Sequence, residues 1–549
     1  MTHPTGGDLL VAVLRDAGVD TVFGVVSVHN LPLVEAVSRH LRFVPVRHEA
    51  SAVNAADGYA RAGGGLGCAL TSTGTGAGNA AGSLVEALAA GTSVLHVTGQ
   101  VELAHLGSGR GFIHETKDQL GMLTAVSAAA HTITDVAAAE AVLRGAVRDA
   151  LASGPVSVEW PIDLQYFPHP ATSPGAAPVV APPAPDADAV AEAAALLAQA
   201  QRPLIWAGGG AARAGTPLRA LVERLGAGLL TSNSGRGAVP EDHPLCVGNY
   251  AASPTGQELL DEADLLLSIG THFRSNETRD YRLRLPGTHI QVDRDPAAPG
   301  RAYPVKLGVV ADAAAFLAAV LDRVPPREGS DWRERVASAR SSARARQREG
   351  LGAHAELADA VRAVLPARAP IARDVTIASS AWGNRLLPIY DPRDNVFPRG
   401  GGIGQGLGMG IGAALARPEV PTLVMAGDGG LAVHLGELLT LAQERPWLVL
   451  MVFNDRGYGV LRNMQDAHGG PRAGVDLATP DFAGLAAAVG LPHLRIDGPA
   501  SARPVLRTAV ERSGPVLVEV DLAAYGPMPA PFTPPVHVPT PEDVARRLS

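Results

Sequence analysis

The sequence predicts an α/β protein built from three doubly wound parallel-sheet domains, and two features of the chain support this fold class. Short apolar runs alternate with Ala-rich stretches of helical periodicity along most of the 549 residues, which is the pattern of βα units that build a mainly parallel sheet. The alternation is interrupted by a Pro/Ala-rich segment and by an Arg-rich segment. These interruptions divide the chain into domains at residues 1–168, 188–325 and 352–525, followed by a Pro-rich tail at 526–549.

The strands and linkers follow in chain order. The first domain has the predicted strands VDTVFGVV, GCALTST, TSVLHVTG and GPVSVEWPI, and the segment PHPATSPGAAPVVAPPAP then forms a semi-rigid linker, because it can continue neither a helix nor a sheet. RPLIWAGGG, DLLLSIG and THIQVD are predicted strands of the second domain. The Arg-rich segment DWRERVASARSSARARQREG mixes acids, Ser and Gln with its arginines, so it is predicted to be a solvated linking helix. The third domain has the strands PTLVMAG, LVLMVFN and PVLVEVD.

Composition and charge exclude several classes of partner. The chain is 46% hydrophobic and 18% charged, with a formal net charge of −8 and no long charged block, so neither nucleic acid nor an anionic membrane is expected as a partner. No apolar run reaches the roughly 20 residues of a membrane span, and the first residues lack the pattern of a signal peptide. The two cysteines, Cys68 and Cys246, exclude a disulfide framework and are predicted to be buried. We expect a cytoplasmic protein that acts on small polar metabolites.

One βαβ unit carries two acids at the ends of its strands. PTLVMAG ends in Gly427-Asp428-Gly429-Gly430, a helical stretch follows, and LVLMVFN ends in Asn454-Asp455. Because parallel strands of such a unit are often adjacent, their carboxyl ends lie side by side, and Asp428 and Asp455 can converge. Two carboxylates at a glycine-rich strand end suit Mg²⁺, which takes oxygen ligands. The N–H groups of Gly429 and Gly430 at the helix start would bind a phosphate.

GDGG followed by the run Asn-Asp-x-Gly-Tyr-Gly resembles the signature of thiamine-diphosphate-dependent enzymes. The resemblance implies that thiamine diphosphate and Mg²⁺ are the cofactors, with Asp428, Asp455 and the backbone of Gly457 as metal ligands, and it places Tyr458 among the residues that bind the cofactor. Asp455 departs from the family, in which Asn is commoner, so the site gains a negative charge and keeps an oxygen ligand. A structural βαβ turn with solvated acids is the alternative interpretation.

The resemblance covers nearly the whole chain and makes the three domains pyrimidine-binding, central and diphosphate-binding. RHEASAVNAADGYARAGG resembles the family segment whose glutamate hydrogen-bonds the pyrimidine N1′ of the cofactor, which implies that Glu49 shares a proton with this nitrogen. Without the metal motif, Glu49 would be an ordinary acid at a helix start. The resemblance implies further cofactor contacts in the loops of the first and third domains: Thr73, Gly74, Ser379, Gly402 and Ile403.

Within the family, the chain most resembles acetolactate synthase, benzoylformate decarboxylase and benzaldehyde lyase. We expect a carboligase that decarboxylates a 2-oxo acid and transfers the acyl-anion equivalent to a second carbonyl compound. The alternative is a 2-oxo acid decarboxylase or C–C lyase that releases free aldehyde, and a non-catalytic cofactor-binding relative is a third.

Two histidines are candidate catalytic residues near the reacting carbon, and a buried, hydrogen-bonded core histidine is the alternative interpretation of each. His29 falls where benzaldehyde lyase carries a histidine, and His114 falls where acetolactate synthases have glutamine and some decarboxylases begin a His-His pair. Met464 stands where acetolactate synthases usually have tryptophan, and CVGNYAASPTG lacks their flavin-site pattern, so FAD is not expected, although it is not excluded. The resemblance also implies a homodimer or homotetramer with active sites between subunits.

Overall fold

The computed structural model describes residues 4–170, 175, 181–327, 331–469, 471–534 and 546. It contains three six-stranded sheets in which every strand pair is parallel. Of the predicted linker and the Pro-rich tail, the structure describes residues 168–170, 175, 181–185, 526–534 and 546. No helix in the described parts of the chain is long and apolar enough to cross a membrane.

The first sheet has the strand order β2-β1-β3-β4-β6-β5, so the order reverses between β1 and β3. Its strands are β1 (Thr21–Gly24), β2 (Arg42–Pro45), β3 (Gly67–Thr71), β4 (Val94–Gln100), β5 (Ala129–Thr132) and β6 (Val156–Pro161). The helices on its faces are α1 (Gly6–Asp16), α2 (Leu31–His40), α3 (Glu49–Gly63), α4 (Thr75–Ala90), α5 (Gln119–Val126), α6 (Ala139–Ser153) and α7 (Ile162–Tyr166).

The second sheet has the order β12-β11-β10-β7-β8-β9. Its strands are β7 (Pro203–Ala207), β8 (Gly228–Thr231), β9 (Cys246–Gly248), β10 (Leu265–Ile269), β11 (Thr288–Asp293) and β12 (Leu307–Val310), and its helices are α8 (Ala187–Gln199), α9 (Gly215–Leu225), α10 (Pro254–Glu262) and α11 (Ala313–Leu321). The predicted Arg-rich helix follows as α12 (Asp331–Leu351). It is not solvated all round, because Trp332, Val336 and Ala339 are buried in the core of this second sheet.

The third sheet has the order β14-β13-β15-β16-β18-β17 and reverses between β13 and β15. Its strands are β13 (Ile371–Arg373), β14 (Asn395–Val396), β15 (Thr422–Gly427), β16 (Leu448–Asn454), β17 (His493–Ile496) and β18 (Val516–Asp521). Its helices are α13 (His354–Val364), α14 (Gly406–Ala416), α15 (Asp428–Val433), α16 (Glu437–Glu444), α17 (Gly459–His468), α18 (Phe482–Ala488), α19 (Pro499–Glu511) and α20 (Leu522–Tyr525).

The three parallel sheets confirm the predicted fold class. Open parallel sheets bind ligands outside the carboxyl ends of their strands, at the point where the strand order reverses. In the first sheet this point lies beside the loops that follow β1 and β3, and in the third sheet it lies beside the loops that follow β13 and β15. The predicted site residues all lie at, or in loops that lead to, the carboxyl edges of these two sheets.

Candidate active site

Asp428 and Asp455 converge as the βαβ pattern predicts. β15 and β16 are neighbours, with Gly427 paired to Phe453, so the residues that follow them leave the sheet side by side. Asp428 Oδ2 accepts the Gly457 N–H at 2.9 Å, and Asp428 Oδ1 is buried without a hydrogen-bond partner among the described residues. A buried carboxylate oxygen that lacks a partner fits a cation ligand.

The electrostatics of this pair also fit a divalent cation. Burial and the neighbouring Asp428 carboxylate raise the pKa of Asp455 to about 7, and burial raises the pKa of Asp428. Arg462 compensates weakly, since its Nη1 lies 3.7 Å from Asp455 Oδ2. Within the described ranges, no group of three or more His, Cys, Asp or Glu residues could hold a metal. The predicted third protein ligand, the backbone carbonyl of Gly457, lies outside the kinds of group covered by this finding.

Gly429, Gly430 and Ser379 lie next to the two aspartates at the carboxyl edge of the third sheet. A side chain at Gly429 would lie 2.9 Å from the Tyr458 ring, so this ring packs directly against the glycine backbone. Ser379 begins a π-helical turn, Ser379–Gly383, and its buried hydroxyl has no hydrogen-bond partner in the described structure. Together with Asp428 Oδ1, this hydroxyl is a second buried polar atom that a bound diphosphate and its metal would satisfy. Sequence reasoning missed Thr376, which lies against Gly427.

Two buried acids hold the loop that carries Gly402 and Ile403. Glu86, at the far end of α4, accepts the N–H groups of Gly400 and Gly402, the second at 2.6 Å. Asp374 accepts the N–H groups of Gly404 and Gly406 at 3.1 and 3.2 Å, and burial raises its pKa to about 6. Ile403 is 40% exposed at the tip of this loop.

Neither Glu86 nor Asp374 was predicted from the sequence, although both hold the loop that carries Gly402 and Ile403. Glu86 is one acid in an Ala-rich helix, and nothing in its neighbourhood in the sequence indicates a partner more than three hundred residues away. Asp374 follows directly after β13, so its place at a strand end was the one available signal.

Glu49 is the first residue of α3, directly after β2 and its following turn. The His48 side chain caps this helix by accepting the Ala50 N–H at 3.2 Å. Glu49 is half-buried, and its Oε2 accepts the side-chain N–H of Asn79 at 3.0 Å. A side chain at Gly76 would lie 2.9 Å from Glu49 Oε1, so the start of α4 packs against the carboxylate.

The turn that contains Thr73 and Gly74 brings the two histidines into the same region. Gly74 has φ +63°, and a side chain there would lie 2.3 Å from the His114 carbonyl oxygen, so only glycine fits. The rings of His29 and His114 meet edge to face with centroids 5.3 Å apart. Burial and the nearby His114 lower the pKa of His29, whose Nδ1 is buried without a described hydrogen-bond partner.

Gln119 fixes this turn and was also missed. Its Oε1 accepts the Thr73 hydroxyl at 2.9 Å and the Gly74 N–H at 2.7 Å, while its Nε2 donates to Glu159 at 3.1 Å. Thr73 is fully buried, so its hydroxyl serves this network. In this turn Gly74 lies against His114, and Gly76, two residues later, lies against Glu49.

The structure brings the predicted residues together as two groups, one at each sheet edge. No hydrogen bond or ion pair joins Glu49 to Asp428 or Asp455 in the described part of the chain. The two domains are nevertheless in direct contact, since Glu86 accepts the Gly402 N–H, the Arg47 N–H donates to Glu437 at 3.0 Å, and the rings of His48 and His434 have centroids 5.1 Å apart. Burial and the neighbouring His48 lower the pKa of His434 to about 4, so the His434 ring is neutral near pH 7.

Comparison with known protein families covers the three domains in order. The thiamine pyrophosphate enzyme N-terminal TPP binding domain matches residues 4–122, the central domain matches 190–320, and the C-terminal TPP binding domain matches 377–520. The chain belongs to the thiamine pyrophosphate enzyme family. This membership confirms the resemblance to the thiamine-diphosphate family, and it assigns the two sheet edges described above to the TPP binding domains.

Individual family members align along nearly the whole chain. A Pseudomonas aeruginosa protein named as a probable 2-ketoarginine decarboxylase is 36% identical over 94% of this chain and 94% of its own. The acetolactate synthase isozyme 1 large subunit of Escherichia coli is 26% identical over 95% and 94%. The X-ray structure of a Mycobacterium smegmatis protein that was assigned as thiamin diphosphate-dependent shares the fold, with a TM-score of 0.78 at 23% identity over 94% of this chain and 99% of its own.

Proposed function

We propose that this thiamine pyrophosphate enzyme is a Mg²⁺-dependent 2-oxo acid decarboxylase that releases an aldehyde. The observation that carries the proposal is the contact of the His29 and His114 rings at the same sheet edge as Glu49, with His114 against the turn that precedes Gly76. The similarity to a relative named as a decarboxylase supports it. The net reaction converts a 2-oxo acid and one proton into an aldehyde and CO₂.

The third domain would hold the diphosphate end of the cofactor. Asp428 and Asp455 would bind Mg²⁺ through carboxylate oxygens, and the Gly457 carbonyl, which faces Gly429, would be the third protein ligand. The N–H groups of Gly429 and Gly430 at the start of α15 and the Ser379 hydroxyl would bind the phosphates. Ile403, exposed on a loop that Glu86 and Asp374 hold in place, would contact the rings.

Glu49 would hold the proton that the pyrimidine ring must exchange. When bound, thiamine diphosphate supplies the carbanion stabilisation that loss of CO₂ requires. The role of Glu49 would be to share a proton with the ring nitrogen. The hydrogen bond from Asn79 and the packing against Gly76 orient its carboxylate.

The two histidines would deliver the proton that ends the reaction. After CO₂ leaves, the former carbonyl carbon must take up a proton before the aldehyde can depart. His29 is buried and its pKa is lowered, so it is a neutral imidazole near pH 7, and His114 is exposed to solvent. A buried neutral imidazole in contact with an exposed one can pass protons from water to the reacting carbon.

Carboligation, which the sequence analysis favoured, is the second candidate. It is supported by the similarity to acetolactate synthase over nearly the whole of both chains. In that case the reacting carbon would attack a second carbonyl compound instead of taking up a proton. Met464, half-buried on α17, would leave room for the acceptor where a tryptophan is usual in acetolactate synthases.

Product analysis separates the two candidates. The protein would be loaded with thiamine diphosphate and Mg²⁺ and incubated with 2-ketoarginine or pyruvate, each alone and with an acceptor aldehyde. Aldehyde and CO₂ in equal amounts would support the decarboxylase, whereas an acyloin or a 2-hydroxy-2-alkyl acid as the main product would overturn it. His114→Ala should slow aldehyde release more than CO₂ loss, and Asn463→Ala on the same α17 as Met464 is a control outside the pair.

We also propose that the active protein is at least a homodimer. Glu49 and Asp428 lie at the edges of different sheets, without a hydrogen bond or ion pair between them in the described residues. Completing one site from the first domain of one chain and the third domain of another would join the two groups. Light scattering together with activity at decreasing concentration tests this proposal, and a monomer that keeps full activity would contradict it.

A further inference from the structure

A cavity of about 680 Å³ lies where the second domain meets α12. Residues 381–385, in and after the π-helical turn, and residues 530–533 complete its wall. Four arginines line it: Arg279, Arg282, Arg346 and Arg385. No Asp or Glu is among its described lining residues, and the remaining wall is mainly small or apolar, including Ala381, Leu351 and Phe532. We name it the arginine cavity. Its volume is in the range of roughly 300–1,000 Å³ that is usual for ligand sites.

Arg385 has no carboxylate within ion-pair distance among the described residues. It is half-buried, and its guanidinium makes no hydrogen bond or ion pair with any described residue. Burial lowers its pKa, and the more distant Glu277 carboxylate opposes this shift only in part. A partly buried charge that lacks a close counter-ion is unfavourable. An anion in the arginine cavity would remove this cost.

Arg279 and Arg282 lie on a loop of unusual conformation. Three consecutive residues that are not glycine, Arg279, Asp280 and Tyr281, have φ values of +53°, +53° and +62°. Such conformations are costly and cluster at active sites, ligand clamps and switch regions. The Arg279 Nε donates to the Ala252 carbonyl at 2.8 Å, and the Arg282 Nε donates to the Arg279 carbonyl at 2.8 Å. These bonds restrain both side chains and leave the Nη atoms without a hydrogen bond to the described residues.

A second hollow in the surface is lined by Arg368, Arg393 and Arg417, and nearby carboxylates neutralise its arginines. Its arginines have close carboxylate partners: Arg417 lies 2.6 Å from Asp394, and Arg368 lies 2.8 Å from Asp391. The acids next to the arginine cavity are more distant, since Arg282 to Asp280 and Arg346 to Glu258 both measure 3.6 Å. The arginine cavity therefore keeps an excess of positive charge that the second hollow does not have.

We infer that the arginine cavity binds an organic anion with two linked phosphate groups, of about the size of a nucleoside diphosphate. Guanidinium groups bind phosphate oxygens in pairs, and four of them match two phosphates. The apolar wall at Leu351 and Phe532 would receive the organic part. The site is separate from the predicted cofactor site, because neither Asp428, Asp455 nor the adjacent glycines line the cavity.

Calorimetry with ADP tests the inference on protein that is already saturated with thiamine diphosphate and Mg²⁺. We expect one ADP site per chain, and affinity that falls roughly tenfold or more in Arg385→Met and in Arg282→Met. Arg282 has a side chain 70% exposed, so its replacement does not endanger folding, and it keeps the test valid if Arg385→Met unfolds. Arg507→Met, an exposed arginine of α19, is the matched control for the loss of one charge.

Each outcome bears on the inference. Inorganic pyrophosphate that binds within tenfold of ADP would support recognition through the phosphates, and much weaker binding of pyrophosphate would support recognition of the whole nucleotide. The inference is overturned by the absence of ADP binding, by equal affinity in Arg282→Met and Arg507→Met, or by binding that is seen only when thiamine diphosphate is left out. The last result would place ADP in the cofactor site.

Discussion

Replacing Asp455 with Asn should stabilise the metal-free protein and reduce the stabilisation that Mg²⁺ provides. In the metal-free chain, burial and the Asp428 carboxylate raise the pKa of Asp455 from 3.8 to about 7. Arg462, 3.7 Å away, offsets only part of this repulsion. Asn keeps an oxygen at the same position and removes one of two buried negative charges. The two carboxylates are therefore costly without a cation and favourable with one.

The expected gain in stability of Asp455→Asn follows from the pKa shift of Asp455. A change in pKa of about 3 units corresponds to roughly 4 kcal/mol at pH values above the folded pKa. The side chain of Asp455 is 19% exposed, and water relieves part of the repulsion, so we expect about 1 to 3 kcal/mol. For a domain of this size, that is about 3 to 10 °C in the melting temperature.

The dependence on pH has a definite sign. Because the pKa of Asp455 is higher in the folded protein, the folded state binds more protons than the unfolded state between pH 3.8 and about 7. The contribution of this group to stability therefore falls as the pH rises through that window. The advantage of Asp455→Asn over wild type should be smallest near pH 4 and largest at pH 8.

Thermal unfolding in EDTA from pH 4 to 8, and again at pH 8 with Mg²⁺ and thiamine diphosphate, measures these differences. Asp476→Asn is the control, because Asp476 also pairs with Arg462, at 2.8 Å, but is 59% exposed. We expect it to change stability by less than about 0.5 kcal/mol. If Asp455→Asn melts at or below wild type in EDTA at pH 8, repulsion between the two carboxylates does not govern this site.

Three further predictions concern the first domain. Glu49→Gln should bind thiamine diphosphate but lose at least the ~10²-fold in turnover that is typical of a general acid-base group, with slower C2 proton exchange of the bound cofactor; exchange at the parent rate would return Glu49 to an ordinary helix-start acid. Glu86→Gln should lower the free energy of unfolding by about 1 to 3 kcal/mol, because it removes charge-assisted hydrogen bonds from the N–H groups of Gly400 and Gly402. It should also lower turnover, with little effect on the Mg²⁺ affinity measured by calorimetry. Gly74→Ala should lower stability by about 1 to 3 kcal/mol in thermal unfolding, since alanine is strained at φ +63° and meets the His114 carbonyl; an unchanged melting temperature would argue against this contact.

The sequence by itself determined the fold class and the residues whose chemistry depends on strand ends. Alternating apolar runs and helical stretches specify parallel sheets, because βα units pack in only one common way. Asp428 and Asp455 could be paired from the sequence, since one short βαβ unit carries both and its strands are neighbours. In the same way, Glu49 could be placed at an edge because it follows a predicted strand and begins a helix.

The tertiary structure decided which distant residues support these positions. Glu86 holds the Gly402 loop across more than three hundred residues, and Gln119 holds the Thr73 turn across 46 residues, contacts that no local pattern specifies. The arginine cavity likewise draws its wall from segments between residues 252 and 533. The physical reason is that periodicity reports only which face of an element is buried, whereas the partner of a polar side chain depends on how the domains pack.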